Sequence, residues 1–224
     1  MHLSTYEFKA MEKALIIFSP STNEKNEQDS SVDGKHVTSL NRYSEIYTEL
    51  IQHSSKEAAR VKAHRYVFFK DDLPENDSNW PDSDFIYEIQ TGRTFGESLS
   101  LAFESLFRIG YKEVVFLSIN YPELTFELID KAIFELKETD AVIGPSRSGG
   151  YYLLALKQYN SDLFMHKLWD TDTVFDATIQ DFMQNNQIWF ELPILNCIES
   201  DEDIHLANIK KFYRKIIEQT TLSH

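Results

Sequence analysis

Apolar residues along this chain fall into two patterns, short continuous runs and stripes at helical spacing. The first run, residues 14–18, is followed abruptly by a serine and a proline, as expected of a buried strand in a parallel sheet. Similar runs recur at intervals along the rest of the chain. Together they predict strands at 13–18, 65–69, 85–89, 113–119, 141–143, 151–156 and 188–192.

Between the runs, apolar residues recur every three or four positions, which indicates amphipathic helices. The stripe over 95–107 stops at Gly110, a residue suited to the left-handed conformation that often ends a helix. Thr125 can cap the next helix, and Ser200 with Asp203 resembles a capping box for the last one. The stripes lie at 40–51, 95–107, 128–136, 173–183 and 206–217. Alternating strands and helices predict an α/β fold with a largely parallel sheet.

Two polar stretches interrupt this order. Residues 19–35 are nearly all Ser, Asn, Glu, Asp, Gln and Lys, which cannot form a packed face and which predict a long loop. Residues 71–84 contain two prolines and many acids, so they predict a second loop. We expect residues 1–12 to be an N-terminal extension and residues 13–224 to form a single domain, which is long enough to bury one substantial core.

Composition narrows the classes of function. Hydrophobic residues make up 42% of the chain and aromatic residues 13%, which is typical of a globular protein. The net charge of −14 repels phosphate backbones, so neither nucleic acid nor an anionic membrane is an expected partner. The first apolar run is too short to span a membrane. Cys197 is the only cysteine, which excludes an intramolecular disulfide and favours a reducing compartment, the cytoplasm.

The candidate chemistry lies just after predicted strands, where ligands bind in open α/β sheets. Five segments in order, 90–96, 118–124, 144–153, 163–178 and 192–204, resemble motifs of the bacterial GT-A-like nucleotide-diphospho-sugar transferase family. That family includes arsenosugar-type glycosyltransferases and is distantly related to phospholactate and molybdenum cofactor guanylyltransferases. Residues 118–124, Ser-Ile-Asn-Tyr-Pro-Glu-Leu, are similar to its Gly-Ser-Asp-x-Pro-Asp-Leu segment, and 144–153 to its Gly-Pro-x-x-Asp-Gly-Gly-Tyr-Tyr-Leu segment.

This resemblance implies a three-layer αβα sandwich with a mostly parallel central sheet and a site for a nucleotide-diphospho-sugar or nucleotide. The implied nucleotide- and sugar-binding residues are Gly92, Arg93, Gly96, Asn120, Arg147, Gly149, Gly150, Tyr151 and Trp169. Glu123 and Ser148 are the candidate catalytic residues.

Each of these residues also has a simpler interpretation. Glu123 could position an acceptor hydroxyl or act as a general base, or it could be a charge near a helix N-terminus. Gly149 and Gly150 could form a tight turn or let a ligand lie against bare backbone. Trp169 could stack on a sugar or base, or pack in the core. The two arginines could bind phosphate or be solvated surface residues.

The resemblance also exposes replacements at the metal site. Asn120 stands where the family has its first metal-binding aspartate, and Ser148 replaces the aspartate before Gly-Gly. Cys197 and Glu199 replace the aspartates of an Asp-x-Asp pair. Hard cations prefer charged oxygens, so Asn120 and Glu199 would form at best a weak Mg²⁺ or Mn²⁺ site if the protein is active, or no metal is bound. The seven histidines show no zinc-ligand spacing.

Two functions therefore stay open, together with the question of whether the chain is an enzyme. One is a nucleotide-sugar-dependent glycosyltransferase with a weakened or lost metal site. The other is a catalytically degenerate GT-A scaffold that binds a ligand or partner without turnover. Nucleotidyl transfer to a small phosphorylated acceptor would call for a more basic phosphate-binding loop. A serine hydrolase is disfavoured because Ser148 stands where a nucleophile elbow requires glycine.

Overall fold

The computed structural model describes residues 12–19, 37–70, 72–74, 77, 79–80, 84–169 and 171–198, with the backbone alone for 37–45. The strands are β1 Lys13–Ser19, β2 His64–Phe69, β3 Ile86–Ile89, β4 Glu113–Leu117, β5 Ala141–Pro145, β6 Tyr151–Leu156 and β7 Trp189–Glu191. The α-helices are α1 Val37–Ala59, α2 Phe95–Arg108, α3 Phe126–Glu135 and α4 Val174–Gln184. A short 3₁₀ helix, Ser161–Leu163, follows β6.

All seven strands belong to one sheet, in the order β3-β2-β1-β4-β6-β5-β7. Every pairing is parallel except those of β6, which runs antiparallel to both β4 and β5. Because β6 runs against its neighbours, its first residue, Tyr151, lies at the edge where β4 and β5 end. The mostly parallel sheet is thus confirmed, and β4 is its central strand.

The two faces of the sheet carry separate hydrophobic cores. Along β1, Leu15 and Ile17 point to the face covered by α1 and α3, whereas Ala14 and Ile16 point to the face covered by α2 and α4. This alternation follows from the two-residue period of a strand, and it explains why both faces of β1 are apolar. Helices on both faces of one sheet form the three-layer αβα sandwich that the sequence predicted.

The start of α2, at the carboxyl edge of the sheet, is fixed by hydrogen bonds between residues close in sequence. The Thr94 hydroxyl accepts a hydrogen bond from the Glu97 N–H at 3.2 Å, and the Glu97 carboxylate accepts one from the Arg93 N–H at 3.0 Å. These two bonds satisfy backbone donors that a helix start leaves unpaired. At the other end of α2, Gly110 adopts a φ of 109°, as predicted for the residue that ends this helix.

The start of α3 differs from the sequence expectation. Thr125 occupies the N-cap position, but its side chain makes no capping hydrogen bond. Instead, a carboxylate oxygen of Glu57, from α1, accepts a hydrogen bond from the Phe126 N–H at 2.8 Å. Thr125 thus occupies the predicted N-cap position, but the side-chain hydrogen bond at the helix start comes from a residue distant in sequence.

The other element predictions agree with the structure apart from their ends. β4 ends at Leu117, two residues before the predicted end, and α1 continues to Ala59. The proposed N-terminal extension, the long first loop and the last helix with its Ser200 capping box lie outside the described residues. Within the described part of the chain, no helix is long and apolar enough to cross a membrane.

Candidate ligand-binding cleft

A cavity of about 440 Å³ lies at the carboxyl edge of the sheet. Five separate segments meet there, namely the start of α2, the end of β4 with the residues after it, the β5–β6 turn, the segment before α4 and the segment after β7. The lining residues are Phe95, Phe116, Ser118, Asn120, Tyr121, Ser148, Gly150, Tyr151, Trp169, Thr171, Asp172, Val174 and Cys197. Of the predicted site residues, Asn120, Ser148, Gly150, Tyr151 and Trp169 converge on this cavity.

Two residues that line this cavity carry a buried polar atom without a hydrogen-bond partner among the described residues, the side-chain oxygen of Asn120 and the hydroxyl of Tyr151. Tyr151 is only 7% exposed, and burial raises the pKa of its hydroxyl well above the ordinary value. The hydroxyl therefore stays neutral and can donate as well as accept. Leaving a buried polar group unpaired costs about 1–3 kcal/mol, so a ligand that pairs with these two atoms would regain that free energy.

Aromatic side chains form one wall of the cavity. The Trp169 ring lies 5.3 Å from the Phe95 ring and 6.3 Å from the Tyr151 ring. The Trp169 indole N–H donates to the Phe164 carbonyl at 3.4 Å, and the side chain stays half-buried. The absence of a side chain at Gly96 allows the Trp169 indole to lie here, since a Cβ at Gly96 would be 1.9 Å from the indole nitrogen. Trp169 packs against the core and also lines the cavity, and its stacking on a sugar or base stays a prediction.

The two glycines of the β5–β6 turn differ in what they permit. Gly149 has a φ of 88°, and a Cβ there would lie 2.1 Å from the Asp172 carbonyl oxygen. Gly149 is therefore needed for the turn itself and for the close approach of Asp172. A Cβ at Gly150 would meet nothing within 4 Å, so this residue presents bare backbone to open space at the cavity. Ser148 is exposed, and its hydroxyl lies 2.9 Å from that of Ser146.

Glu123 and Arg147 do not line the cavity, and both contact Asn196. One Glu123 carboxylate oxygen accepts hydrogen bonds from the Asn196 backbone N–H at 3.0 Å and from its side-chain amide at 2.9 Å. The Arg147 guanidinium donates to the Asn196 side-chain oxygen at 3.0 Å. These contacts hold the segment after β7 beside the cavity, where the Ile198 N–H donates to the Asn120 carbonyl at 2.9 Å.

Gly92 and Arg93 also lie outside the cavity lining. A Cβ at Gly92 would lie 2.2 Å from the Ser98 backbone nitrogen, so this glycine permits the chain to approach the first turn of α2. The Arg93 side chain is 91% exposed and lies 3.6 Å from the Glu97 carboxylate. Both residues therefore support the start of α2, which carries Phe95 to the cavity.

The cleft continues toward β1 and β2. An adjoining cavity of about 230 Å³ shares Phe95, Phe116, Ser118 and Asn120 with the first one. It reaches Ser19 at the end of β1 and Lys70 just after β2. Among the described residues that line the two cavities, Lys70 is the only cationic one. The cleft thus extends across the carboxyl ends of the central strands, as expected of a ligand site in this type of sheet.

The described residues do not fit a divalent-metal site. They contain no group of three or more His, Cys, Asp and Glu side chains that could hold an ion. Asp172 is the only carboxylate among the described residues that line the 440 Å³ cavity, and Asn120 contributes a neutral oxygen. Glu199, the predicted partner of Asn120 at a metal site, lies outside the described residues.

Sequence reasoning missed Phe95, Asp172 and Asn196 as residues of the site. Asp172 lies within a segment that resembles a family motif, and its position before α4 was the available signal. Cys197, which replaces an aspartate of the family's Asp-x-Asp pair, is half-buried and lines the cavity. Phe95 was assigned to the apolar stripe of α2, although it is 38% exposed at the start of that helix.

Solved structures share this fold. A protein from Desulfovibrio desulfuricans G20, provisionally named a nucleotide-diphospho-sugar transferase, matches with a TM-score of 0.72 at 19% identity, over 92% of this chain and 96% of that chain. 4-Diphosphocytidyl-2C-methyl-D-erythritol synthase from Anaerococcus prevotii DSM 20548 matches with a TM-score of 0.54 at 15% identity, over 86% and 92%. Glucosyl-3-phosphoglycerate synthase from Mycobacterium tuberculosis, in complex with Mn²⁺, uridine diphosphate and phosphoglyceric acid, gives 0.53 at 8% identity, over 85% and 72%. At these identities the comparisons show the fold.

These comparisons show a GT-A-like fold, as the sequence motifs indicated. Comparison with curated proteins gives no significant match. The chain belongs to the family described as "Uncharacterized protein conserved in bacteria (DUF2064)", whose family model matches residues 54–171. That range contains the cleft residues Asn120, Tyr151 and Trp169.

Proposed function

We propose that this protein binds a nucleotide-diphospho-sugar in the cleft and transfers the sugar to an acceptor hydroxyl. The observation that carries the proposal is the buried oxygen of Asn120 and the buried hydroxyl of Tyr151, both without a partner among the described residues and both belonging to residues that line one cavity. Sugar hydroxyls donate and accept hydrogen bonds, so they can pair with both atoms. The apolar face of a sugar ring can pack on Trp169, which lines the same cavity.

The two parts of the cleft suit the two parts of such a ligand. The 440 Å³ cavity, with its aromatic wall and the bare backbone of Gly150, would hold the sugar. The adjoining cavity, which reaches Ser19, Lys70 and Gln90, would hold the nucleoside. Lys70 would then lie on the side where the diphosphate needs a cation, which matters in a chain of net charge −14.

Asp172 is the best-placed proton acceptor for the transfer. In that reaction the acceptor hydroxyl oxygen forms a bond to the anomeric carbon of the sugar. The bond from that carbon to the diphosphate oxygen breaks, and the nucleoside diphosphate leaves with the electron pair. The hydroxyl proton passes to a base, for which Asp172 supplies the only carboxylate among the described residues of the 440 Å³ cavity. Glu123, the base that the sequence suggested, is hydrogen-bonded to Asn196 instead.

No step is assigned to a divalent ion, because the described residues lack a carboxylate cluster. The pairing of Asn120 with Glu199 around Mg²⁺ or Mn²⁺ stays a prediction. A transferase without such an ion must offset the charge of the leaving diphosphate by positioned hydrogen bonds and cations. Lys70, which lines the adjoining cavity, is the described cation on that side of the cleft.

Binding without turnover is the second candidate function. It is favoured by the engagement of Glu123 with Asn196 and by the presence of one carboxylate among the described residues of the cavity, where the family motif implies several. In that case the cleft would recognise the same class of ligand, and Asn120 and Tyr151 would keep their binding role.

A ligand titration separates these functions. Thermal unfolding would be followed with uridine, guanosine and thymidine diphosphates and their sugars, first with Mn²⁺ and then with a chelator, since ligands of the native state raise the melting temperature by mass action. Release of nucleoside diphosphate would be measured in parallel. Stabilisation with release supports the transferase, stabilisation without release supports the binding protein, and no stabilisation by any nucleotide contradicts both.

The cellular setting and domain organisation are also part of the proposal. We infer that residues 13–224 form one domain, with residues 1–12 as an extension, and that the protein works in the cytoplasm. A chain with Cys197 as its single cysteine has no need of an oxidising compartment. The net charge of −14 argues against a nucleic-acid partner.

A further inference from the structure

A larger cavity of about 810 Å³ adjoins the cleft on the far side of Trp169. It lies between the first half of α2 and the segment that follows the 3₁₀ helix. Phe95, Trp169 and Thr171 line both this cavity and the 440 Å³ cavity, so the two share a wall. Thr171 thus belongs to both cavities, and the next residue, Asp172, lines the 440 Å³ cavity.

The wall of the larger cavity is apolar and exposed. Leu168 is 75% exposed, Met165 is 53% exposed and Phe95 is 38% exposed, and all three side chains line it. Scattered exposed apolar residues are ordinary, but three around one concave surface indicate a site for an apolar group. The volume is within the usual range for small-molecule sites.

The charged groups around this cavity are paired with one another. Lys167, whose side chain is 2% exposed, forms an ion pair with Asp181 of α4. Glu97 is paired with Arg93 at 3.6 Å. Among the described lining residues, His166 is the one other ionisable side chain. A phosphorylated molecule would therefore find little compensating charge here, whereas an uncharged molecule would lose no strong interaction with water.

The segment that forms the wall is tied to its neighbours by contacts at two positions. The Lys167–Asp181 pair ties it to α4, and Trp169 is held against Gly96 and by its hydrogen bond to the Phe164 carbonyl. A preformed wall lowers the entropy cost of binding.

We propose that the 810 Å³ cavity is the acceptor site and that it takes an uncharged alcohol with an apolar ring or chain. The apolar part lies against Leu168 and Met165, and the hydroxyl points past Thr171 toward Asp172. This assignment rests on the proposed transfer function, and it excludes the small phosphorylated acceptors that a nucleotidyl transferase of related fold would use.

Binding of phenyl β-glucoside tests the proposal, with glycerol 3-phosphate as the charged comparison. Both probes would be titrated by calorimetry into the full chain, with and without the best nucleotide-sugar. We expect phenyl β-glucoside to bind and glycerol 3-phosphate not to bind. Leu168→Glu should weaken the binding of phenyl β-glucoside by about tenfold, because the substitution places a charge against the apolar ring. Nucleotide-sugar affinity should stay within about twofold, since Leu168 does not line the 440 Å³ cavity.

Ile188→Glu is the matched control, because Ile188 is also an exposed apolar residue, at 62%, and lines neither cavity. It should leave the affinity for phenyl β-glucoside unchanged. No binding of phenyl β-glucoside, equal effects of the two substitutions, or tighter binding of glycerol 3-phosphate would each overturn the acceptor assignment. Failure of every nucleotide-sugar to bind, with phenyl β-glucoside still sensitive to Leu168→Glu, would instead reject the donor function alone.

Discussion

Asn196 donates two hydrogen bonds to the same carboxylate oxygen of Glu123, from its backbone N–H at 3.0 Å and from its side-chain amide at 2.9 Å. The Arg147 guanidinium completes the arrangement by donating to the Asn196 oxygen at 3.0 Å. Three loops from different strands are joined in this way at the carboxyl edge of the sheet. The residue after Asn196, Cys197, lines the 440 Å³ cavity, so these contacts position the part of the cavity wall that Cys197 forms.

Removal of the Glu123 carboxylate should therefore loosen the segment that carries Cys197. We expect Glu123→Ala to lower the free energy of unfolding by about 1–3 kcal/mol, the usual range for hydrogen bonds to a charged group. Alkylation of Cys197, the single cysteine of the chain, should become several-fold faster, because the loosened segment opens more often and exposes the thiol. Iodoacetamide labelling followed by mass spectrometry measures this rate.

Glu127→Ala is the control for that experiment. Glu127 is a carboxylate close in sequence to Glu123, at the start of α3, but it is exposed and pairs with Arg60 at the surface. Its removal should change neither stability nor the labelling rate appreciably. An unchanged Cys197 rate in Glu123→Ala would show that the Asn196 contacts do not hold this wall.

Two adjacent tyrosines should separate ligand binding from stability. The Tyr152 hydroxyl donates to the Pro193 carbonyl at 3.0 Å, whereas the Tyr151 hydroxyl has no partner among the described residues. Tyr152→Phe should thus cost about 1 kcal/mol of stability and leave nucleotide-sugar affinity unchanged. Tyr151→Phe should cost no stability and weaken binding by about 3- to 10-fold, the value of one hydrogen bond. Urea unfolding and calorimetry measure the two effects, and equal binding losses would contradict the assignment of Tyr151.

The sequence was most informative where burial imposes a pattern. Continuous apolar runs such as residues 14–17 occur because both faces of the sheet are covered, and that pattern predicts a parallel α/β fold. Positions just after strands were informative for the same reason, since the strand ends of such a sheet meet at one edge. Asn120 and Tyr151 were identified in this way before the structure showed them at one cavity.

The remainder of the site depends on contacts between segments distant in sequence. Asn196 was missed because nothing near it in the chain signals that it faces Glu123, 73 residues away. Glu57 replaces Thr125 at the start of α3 for the same reason, since a helix cap from another element leaves no local pattern. The place of Phe95 at the cavity was also missed, because this residue fits the apolar stripe of α2 while its side chain lines the cavity.

Alkaline pH should destabilise the protein through its buried tyrosines. Burial raises the pKa of the hydroxyls of Tyr111, Tyr151 and Tyr152 above their ordinary value. In the unfolded chain these groups lose their protons near pH 10, while the native state keeps them, so stability is fully present below about pH 10 and falls as the pH rises further. The urea midpoint should decline above that pH. Tyr151→Phe should make the fall of the unfolding free energy with pH less steep by about 1.4 kcal/mol per pH unit. An unchanged slope of that free energy against pH would contradict the burial of the Tyr151 hydroxyl.

Gly96→Ala should displace Trp169 and weaken binding of the nucleotide-sugar. A Cβ at Gly96 would lie 1.9 Å from the Trp169 indole nitrogen, so the indole must move. Alanine is otherwise favoured over glycine in a helix by about 1 kcal/mol, so a loss of stability would be due to this clash alone. We expect red-shifted tryptophan emission and about tenfold weaker binding. Gly150→Ala, whose Cβ would meet nothing within 4 Å, should leave the emission unchanged. A more stable Gly96→Ala variant with unaltered emission would show that Trp169 is not held where the cleft requires it.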